Sequence, residues 1–118
     1  MNSEIKQYEV WLANLNPRFG TGAGKKRPVV IIQTNLLNAA AHPSTLICPV
    51  STNVIKEATI LRVHLAEKEG GLEKASDNLI DQIRAIDNQR LVKKLGVLSV
   101  SSKNKLIKSL KIIFDLLD

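Results

Sequence analysis

The strongest constraint on the fold comes from the segment VVIIQ at residues 29–33, which begins with four consecutive β-branched residues. Such side chains favour extended backbone, and an apolar run without polar alternation is typical of a strand buried on both faces. Pro28 fixes its own φ and biases Arg27 towards an extended conformation. The sequence therefore predicts a central strand whose first residues are held rigidly.

Four further segments have the composition or the alternation of strands, and their connections are too short for repeated β–α–β crossovers. One long helix is predicted at 101–117, where apolar residues recur at spacings of three and four. We therefore expect a mainly β fold with α (α+β), a small antiparallel barrel or half-barrel with a C-terminal helix, as a single domain over 1–118. The strand segments are 7–14, 44–50, 59–65 and 78–86; 35–41 is predicted to be helical or irregular, and 87–95 short helical or extended structure.

The first strand and the helix also carry predictions about their faces. Alternation along 7–14 predicts one solvated face, and Ser101 or Ser102 is expected to cap the helix N-terminus. Gly70-Gly71 indicates a turn. The two strand faces are Tyr8, Val10 and Leu12, and Glu9, Trp11 and Ala13; the core stripe of the helix is Leu106, Leu110, Ile113 and Leu117.

The charge balance favours an anionic partner. The 118 residues carry a net charge of +6, and the isoelectric point is about 9.7. Nucleic acid is the first candidate for such a partner. The N-terminal segment has no signal-peptide pattern and no stretch is apolar enough for a membrane span, so we expect a cytoplasmic protein that makes no membrane contact. Cys48, the single cysteine, lies in an apolar run and is expected to be a buried, inert thiol.

The segment 18–27 concentrates positive charge in a loop that contains no acidic residue. Its glycines allow backbone N–H groups to approach a phosphate closely. Arg18, Lys25 and Lys26 are candidates for contacts with a nucleic-acid backbone, whereas Arg27 adjoins the rigid strand, which positions its guanidinium for bidentate phosphate recognition. From charge alone, a basic surface loop without a ligand remains the alternative.

Other kinds of site have little support. His42, His64 and Cys48 lack the spacing of metal ligands, so we expect neither a metal nor another cofactor. Each histidine is expected to be hydrogen-bonded or solvent-facing rather than half of an acid–base pair. The chain has four aromatic residues, too few for a base-stacking platform. Binding of nucleic acid would depend on cations and backbone amides.

Four segments together resemble the MazF/PemK family of toxin–antitoxin endoribonucleases (mRNA interferases). They are EVWLANLNP at 9–17, GKKRPVVII at 24–32, LICPVST at 46–52 and DNLIDQIRAIDNQRLVKKLG at 77–96. The resemblance covers essentially the whole chain. It implies an SH3-like antiparallel barrel with a C-terminal helix, like that of the CcdB, PemK and MazF toxins, and a homodimer. It also implies metal-independent, sequence-specific cleavage of single-stranded RNA to 2′,3′-cyclic phosphate and 5′-hydroxyl ends, and a MazE-like antitoxin with an acidic, apolar tail.

The resemblance also implies roles for individual residues. Arg27 matches the family's catalytic arginine, and Ser51 matches its catalytic threonine, with Thr52 next in the chain as a possible RNA contact. Gln82 and Arg84 are further candidates for RNA binding, although Gln82 could instead close a backbone hydrogen bond and Arg84 could pair with Asp81 or Asp87.

Two departures from the family pattern leave other functions open. Serine replaces threonine at position 51, and Gly22-Ala23 stands where many members carry Glu-Gln. The alternatives are a non-catalytic homologue that binds only RNA or antitoxin, and a CcdB-like gyrase inhibitor. That second family ends its helix in Trp-Gly-Ile, whereas this chain ends in FDLLD.

Overall fold

The computed structural model describes residues 4–17 and 25–116. Seven strands are followed by a C-terminal helix, and short helical turns connect several of the strands. The strands are β1 Glu9–Asn14, β2 Lys26–Ile31, β3 Ser44–Ser51, β4 Arg62–Leu65, β5 Ser76–Leu79, β6 Arg84–Asp87 and β7 Leu91–Val97. The helices are α1 Asn35–Ala39 and α2 Val100–Ile113, with 3₁₀ turns at Glu69–Gly71, Ile80–Gln82 and Asn88–Arg90.

All strand pairs are antiparallel, and β3 is the strand that most others join. The order across the sheet is β4-β5-β3-β2-β1-β7, and β6 pairs with the first half of β3. Among the described residues no ladder connects β4 to β7, so the sheet is open at its ends. The predicted antiparallel fold with a C-terminal helix is confirmed.

Both faces of the central strands are buried, which explains why 29–33 shows no alternation. Val30 packs in a core cluster with Leu106 of α2, whereas Val29 and Ile31 pack in a second cluster on the opposite face. The prediction of a solvated face on the first strand is wrong for the same reason. Trp11 is buried in the second cluster, and Glu9 is buried beside it.

Glu9 is tolerated inside because every oxygen of its carboxylate has a donor. Oε1 accepts hydrogen bonds from Trp11 Nε1 at 2.9 Å and from the Lys6 backbone N–H at 3.0 Å. Oε2 pairs with Lys94 Nζ at 3.0 Å. Burial alone would raise the pKa of Glu9, but these hydrogen bonds and the Lys94 charge lower it. A charged residue is therefore accommodated on a face of β1 that is buried.

The strand predicted at 78–86 is divided in two by a change of register. Val50 of β3 pairs with Asn78, yet Ile47, three residues earlier, pairs with Arg84. The three extra residues form the 3₁₀ turn Ile80–Gln82, which buries Ile80 in the core. Local composition could not reveal this turn, because it accommodates a mismatch between two pairings of one strand. The predicted segment 87–95 contains the 3₁₀ turn Asn88–Arg90 followed by most of β7.

Helix α2 begins slightly earlier than predicted. Its N-cap is Ser99, whose side chain accepts a hydrogen bond from the Ser102 backbone N–H at 3.2 Å, so neither Ser101 nor Ser102 is the cap. Leu106 is buried, and Leu110 and Ile113 pack against the core as expected. Leu117 lies outside the described residues. No helix within 4–17 and 25–116 is long and apolar enough to cross a membrane.

The turn at Gly70-Gly71 packs directly on the backbone of β7. Gly71 has a φ of +83°, and a Cβ built there would lie 2.1 Å from the Leu95 carbonyl oxygen. A Cβ on Gly96 would lie 2.6 Å from the Gly70 carbonyl. Backbone thus contacts backbone, and only glycine satisfies both the conformation and the space.

Gly71→Ala is expected to lower the free energy of unfolding by about 2–4 kcal/mol, because it adds left-handed strain and a clash with an atom that cannot move away. Urea denaturation of both proteins measures this difference. Glu73→Ala, an exposed substitution in the same connection, is the matched control. A Gly71→Ala protein as stable as the control would contradict the close contact.

Candidate active site

The antiparallel registers place several polar residues in one row across the sheet. Ser51 pairs with Asp77, and Asp77 pairs with His64. Extending the β2–β3 register, in which Val29 pairs with Pro49, sets Arg27 opposite Ser51. Directly opposed residues of antiparallel strands point to the same face. Four strands therefore contribute His64, Asp77, Ser51 and Arg27, in that order, to one face of the sheet.

Arg27 is held at the start of β2 by strands on both sides. It pairs with Ala13 of β1, and its Nη1 donates a hydrogen bond to the Val50 carbonyl oxygen of β3 at 3.4 Å. The side chain is half-buried. The contact with the Val50 carbonyl oxygen places the Arg27 guanidinium beside the last residues of β3, where Ser51 lies.

Ser51 ends β3 and is half-buried. Its Oγ accepts a hydrogen bond from the Asn53 backbone N–H at 3.1 Å. A hydroxyl has one donor and two acceptor sites, so this bond uses an acceptor site and leaves the hydroxyl proton available for another oxygen. Arg27 and Ser51 together offer hydrogen-bond donors from neighbouring strands.

Asp77, the next member of the row, is completely buried and accepts three hydrogen bonds. Oδ2 receives the Ile55 backbone N–H and Arg62 Nη1, each at 2.9 Å, and Oδ1 contacts His64 Nδ1 at 2.6 Å. Burial raises the pKa of Asp77, but the hydrogen bonds and the His64 charge outweigh it and lower the pKa below its ordinary value. Sequence reasoning missed Asp77, and its position next to Ser51 becomes visible only through the strand register.

The lysines of the basic segment lie at the base of the loop before β2. Lys25 and Lys26 are exposed, and Lys26 pairs with Asn14 of β1. The Lys25 backbone N–H donates to Asn16 Oδ1 at 2.8 Å, and its carbonyl accepts from the Leu15 N–H at 2.8 Å. Arg18 and Gly22-Ala23 lie outside the described residues.

Arg90 supports this loop base and was also missed. Its Nη1 donates to the Asn14 carbonyl oxygen at 3.0 Å and also contacts the Asn16 carbonyl oxygen. It belongs to the QRL portion of the fourth matching segment, which was the only sequence signal that could have identified it. Both of these contacts are to backbone carbonyl oxygens, which indicates a structural role at the base of the loop.

The remaining predicted RNA contacts are more dispersed. Thr52 is exposed and lines a cavity of about 440 Å³ with Leu12, Pro28 and Lys93. Leu12 and Pro28 alternate with Ala13 and Arg27 along β1 and β2, so this cavity lies on the opposite face from Arg27. Half-buried Gln82 lies in the 3₁₀ turn Ile80–Gln82, and Arg84, also half-buried, pairs with Ile47 at the start of β6.

The histidines and the cysteine are as predicted. His42 is exposed, and the side chain of His64 is 40% exposed while hydrogen-bonded to Asp77. Burial, with a smaller contribution from Asp81, raises the pKa of the Cys48 thiol to about 12. In the part of the chain that the structure describes, no three His, Cys, Asp or Glu side chains gather as metal ligands.

A basic protein that sets an arginine fork beside a hydroxyl is suited to binding a phosphate group. Comparison with known protein families identifies the class of protein to which the chain belongs. Residues 6–114 match the family described as the PemK-like, MazF-like toxin of type II toxin–antitoxin system. The chain belongs to this family.

Two curated relatives share more than 30% of their residues with the chain. Endoribonuclease EndoA of Bacillus subtilis (strain 168) is 32% identical over 114 residues, which is 97% of each protein. Endoribonuclease MazF of Staphylococcus epidermidis is 36% identical over 97 residues, 82% of this chain and 80% of the relative. The similarity thus extends over at least four-fifths of each relative.

Solved structures of low sequence identity share the fold. MazF from Deinococcus radiodurans aligns with a TM-score of 0.81 at 17% identity, covering 98% of this chain and 100% of that one. The Mycobacterium tuberculosis toxin MazF-mt6 aligns with a TM-score of 0.76 at 22% identity, covering 93% and 99%. An endoribonuclease in complex with its cognate antitoxin, from a mycobacterial species, aligns with a TM-score of 0.76 at 18% identity, covering 100% and 99%.

The lowered pKa of Asp77 predicts how stability depends on pH. A carboxyl with a lower pKa in the folded state stabilises the fold above its unfolded pKa of about 3.9, and this contribution is lost as pH falls through the folded value. Asp77→Asn should therefore cost about 1–3 kcal/mol near neutral pH, and the difference from the wild type should shrink below about pH 4.

Chemical denaturation between neutral pH and pH 3 measures that difference. Glu9 contributes equally to both proteins, so its titration cancels. Glu67→Gln, an exposed substitution in the connection between β4 and β5, is the matched control and should leave the free energy of unfolding unchanged across this pH range. A difference between Asp77→Asn and wild type that stayed constant down to pH 3 would show that the Asp77 charge does not stabilise the fold.

Proposed function

We propose that this toxin is an endoribonuclease that cleaves single-stranded RNA without a metal, using Arg27 and Ser51. The observation that carries the proposal is the convergence of these two side chains on one face, from strands that pair in register. EndoA and MazF, the curated relatives, are both named endoribonucleases. The proposed unit is a single toxin domain over 1–118.

The reaction is an in-line attack of a ribose 2′-oxygen on the adjacent phosphorus. The new 2′-O–P bond forms as the P–O5′ bond breaks, which leaves a 2′,3′-cyclic phosphate and a 5′-hydroxyl. The 2′-hydroxyl loses its proton, and the departing 5′-oxygen gains one. Negative charge builds on the non-bridging oxygens, where Arg27 donates two hydrogen bonds and Ser51 a third. The role of Arg27 is electrostatic, because a guanidinium is a poor proton acceptor at neutral pH; the general base is unassigned.

The rest of the RNA would lie along the same basic surface. Arg18, Lys25 and Lys26 are proposed to bind phosphates on either side of the cleavage site, and Thr52, Gln82 and Arg84 are secondary candidates. Thr52 faces the cavity on the other side of β2, so it would contact a more distant part of the RNA.

The proposed partners follow the family. A homologous endoribonuclease was solved with its cognate antitoxin, and MazE–MazF complexes are known from Deinococcus radiodurans. We propose that this chain forms a homodimer in the cytoplasm and that a MazE-like antitoxin inhibits it by laying an acidic, apolar tail over the RNA-binding surface.

Cleavage is tested by incubating the protein with a long, weakly structured RNA in EDTA and mapping the ends. Wild type should give discrete cuts with 2′,3′-cyclic phosphate and 5′-hydroxyl ends. Arg27→Ala should reduce the rate about 10²–10³-fold, because it removes a preorganised donor from the developing charge. Arg27→Lys keeps the charge but loses the fork and should fall between the two.

Lys105→Ala, on the exposed surface of α2, controls for the loss of a positive charge and should cleave normally. The absence of cuts by wild type on several RNAs would overturn the nuclease proposal in favour of a non-catalytic binder. A gyrase pull-down would then distinguish a CcdB-like inhibitor from a protein that binds only RNA or antitoxin.

The contribution of the loop base is tested by salt titration of binding. An RNA with 2′-deoxyribose at its cleavage site cannot react, so affinity can be measured alone. Replacing Lys25 and Lys26 by Ala should reduce the slope of log K against log salt by about 0.7 per lost phosphate contact. Lys105→Ala/Lys108→Ala removes the same charge from α2 and should leave the slope unchanged. Equal slopes for the two double variants would exclude Lys25 and Lys26 from the RNA-binding surface.

A further inference from the structure

The loop that follows Ser51 is fastened to the sheet at two backbone positions. Arg62 Nη1 donates to the Asn53 carbonyl oxygen at 2.8 Å, and Asp77 Oδ2 accepts the Ile55 N–H at 2.9 Å. The same Arg62 nitrogen also donates to Asp77 Oδ2 at 2.9 Å. The Arg62–Asp77 ion pair therefore binds the loop backbone at residues 53 and 55, on either side of residue 54.

The fastened segment holds the Ser51 hydroxyl in turn. Asn53, whose carbonyl Arg62 holds, donates its own N–H to Ser51 Oγ at 3.1 Å. Ser51 and Asp77 are also direct partners across β3 and β5. The hydroxyl and the ion pair are thus linked by a cross-strand pairing and by a short chain of hydrogen bonds through the loop.

A serine needs such a restraint more than a threonine does. A β-methyl group limits the rotation of χ1, and Ser51 lacks one. Its hydroxyl can occupy three staggered rotamers, of which only some direct the proton towards a phosphate beside Arg27. The hydrogen bond from Asn53 favours one rotamer, provided that the loop keeps the Asn53 N–H in place.

We propose that Asp77 and Arg62 are positioning residues, which we call the loop clamp, and that they fix the rotamer of the Ser51 hydroxyl by holding residues 53–55. The catalytic purpose of the clamp rests on the proposed function, whereas its effect on the rotamer does not. A threonine would restrict its own χ1 through its methyl group. At Ser51 the loop clamp restricts χ1 instead, through the hydrogen bond from Asn53. Neither Asp77 nor Arg62 contacts the reacting atoms in this proposal.

The burial of Asp77 suits it to this task. Its side chain is 0% exposed and that of Arg62 is 19% exposed, so water competes little for their hydrogen bonds. His64 Nδ1 contacts the remaining oxygen, Oδ1, at 2.6 Å. Asp77 is therefore fixed from one side by His64 and holds the loop from the other.

A double-mutant cycle on an RNA with one mapped cleavage site tests the catalytic role. Asp77→Asn should lower kcat about tenfold with little change in KM, because a misdirected hydroxyl loses part of the 10²–10³-fold effect of a preorganised donor. In a Ser51→Ala background the same substitution should have no further effect, since the hydroxyl that it positions is gone. Equal losses of kcat in both backgrounds would overturn the proposal and indicate a general structural role.

Arg62→Ala supplies a second, more exposed route to the same result. It removes the bond to the Asn53 carbonyl and should show the same dependence on Ser51. Asp115→Asn is the matched control and should leave kcat unchanged. Thermal unfolding establishes whether each variant is folded at the assay temperature. If Asp77→Asn is unfolded there, the kcat values of Arg62→Ala in the two backgrounds test the positioning role instead.

A measurement without RNA separates the clamp from the nuclease. The Hα–Hβ couplings of Ser51 in the wild type should report a single χ1 rotamer, and those of Asp77→Asn and Arg62→Ala should report averaging between rotamers. An unchanged single rotamer in both variants would overturn the clamp, whatever the RNA assay gives. Averaging in the variants with no RNA cleavage by wild type would support the clamp and reject the proposed nuclease.

Discussion

The pairing of β3 with its neighbours on both edges is the constraint on which the site depends. β2 joins one edge, while β5 and β6 share the other. Because these pairings are antiparallel and in fixed register, they determine which side chains stand side by side at the C-terminal end of β3. Residues separated by 24 or more positions in the chain meet there, and a shift of one residue in any ladder would send a side chain to the opposite face.

The fold was largely predictable because its main signals are local. The β-branched run at 29–33 identified the central strand, and the spacing of apolar residues identified the C-terminal helix. Predictions failed where the burial or the conformation of a segment depended on contacts with residues distant in the sequence. Alternation predicted one solvated face on the first strand, yet Glu9 is buried there and its charge is paired with that of Lys94 from a distant strand. The turn at Ile80–Gln82 exists only because β3 pairs with two strands in different registers.

The candidate site divides in the same way. Arg27 and Ser51 were identified from family resemblance, and the strand register brings them together. Asp77, Arg62 and Arg90 carry no recognisable motif of their own, and their importance lies in partners 9 to 76 residues away. In the sequence, Asp77 cannot be distinguished from the other polar residues around it. The role of Asp77 depends on its hydrogen bond with the loop at residues 53–55, which only the structure shows.

The base of the loop before β2 has a further consequence. The backbone hydrogen bond from the Leu15 N–H to the Lys25 carbonyl oxygen, and the contacts of Arg90 with the carbonyl oxygens of Asn14 and Asn16, join the end of β1 to the start of β2. These restraints on the β1–β2 register come from residues that flank 18–24. A change in the sequence or length of residues 18–24 leaves these flanking contacts in place. The segment can therefore diversify during evolution, or be exchanged by design, while the sheet is retained.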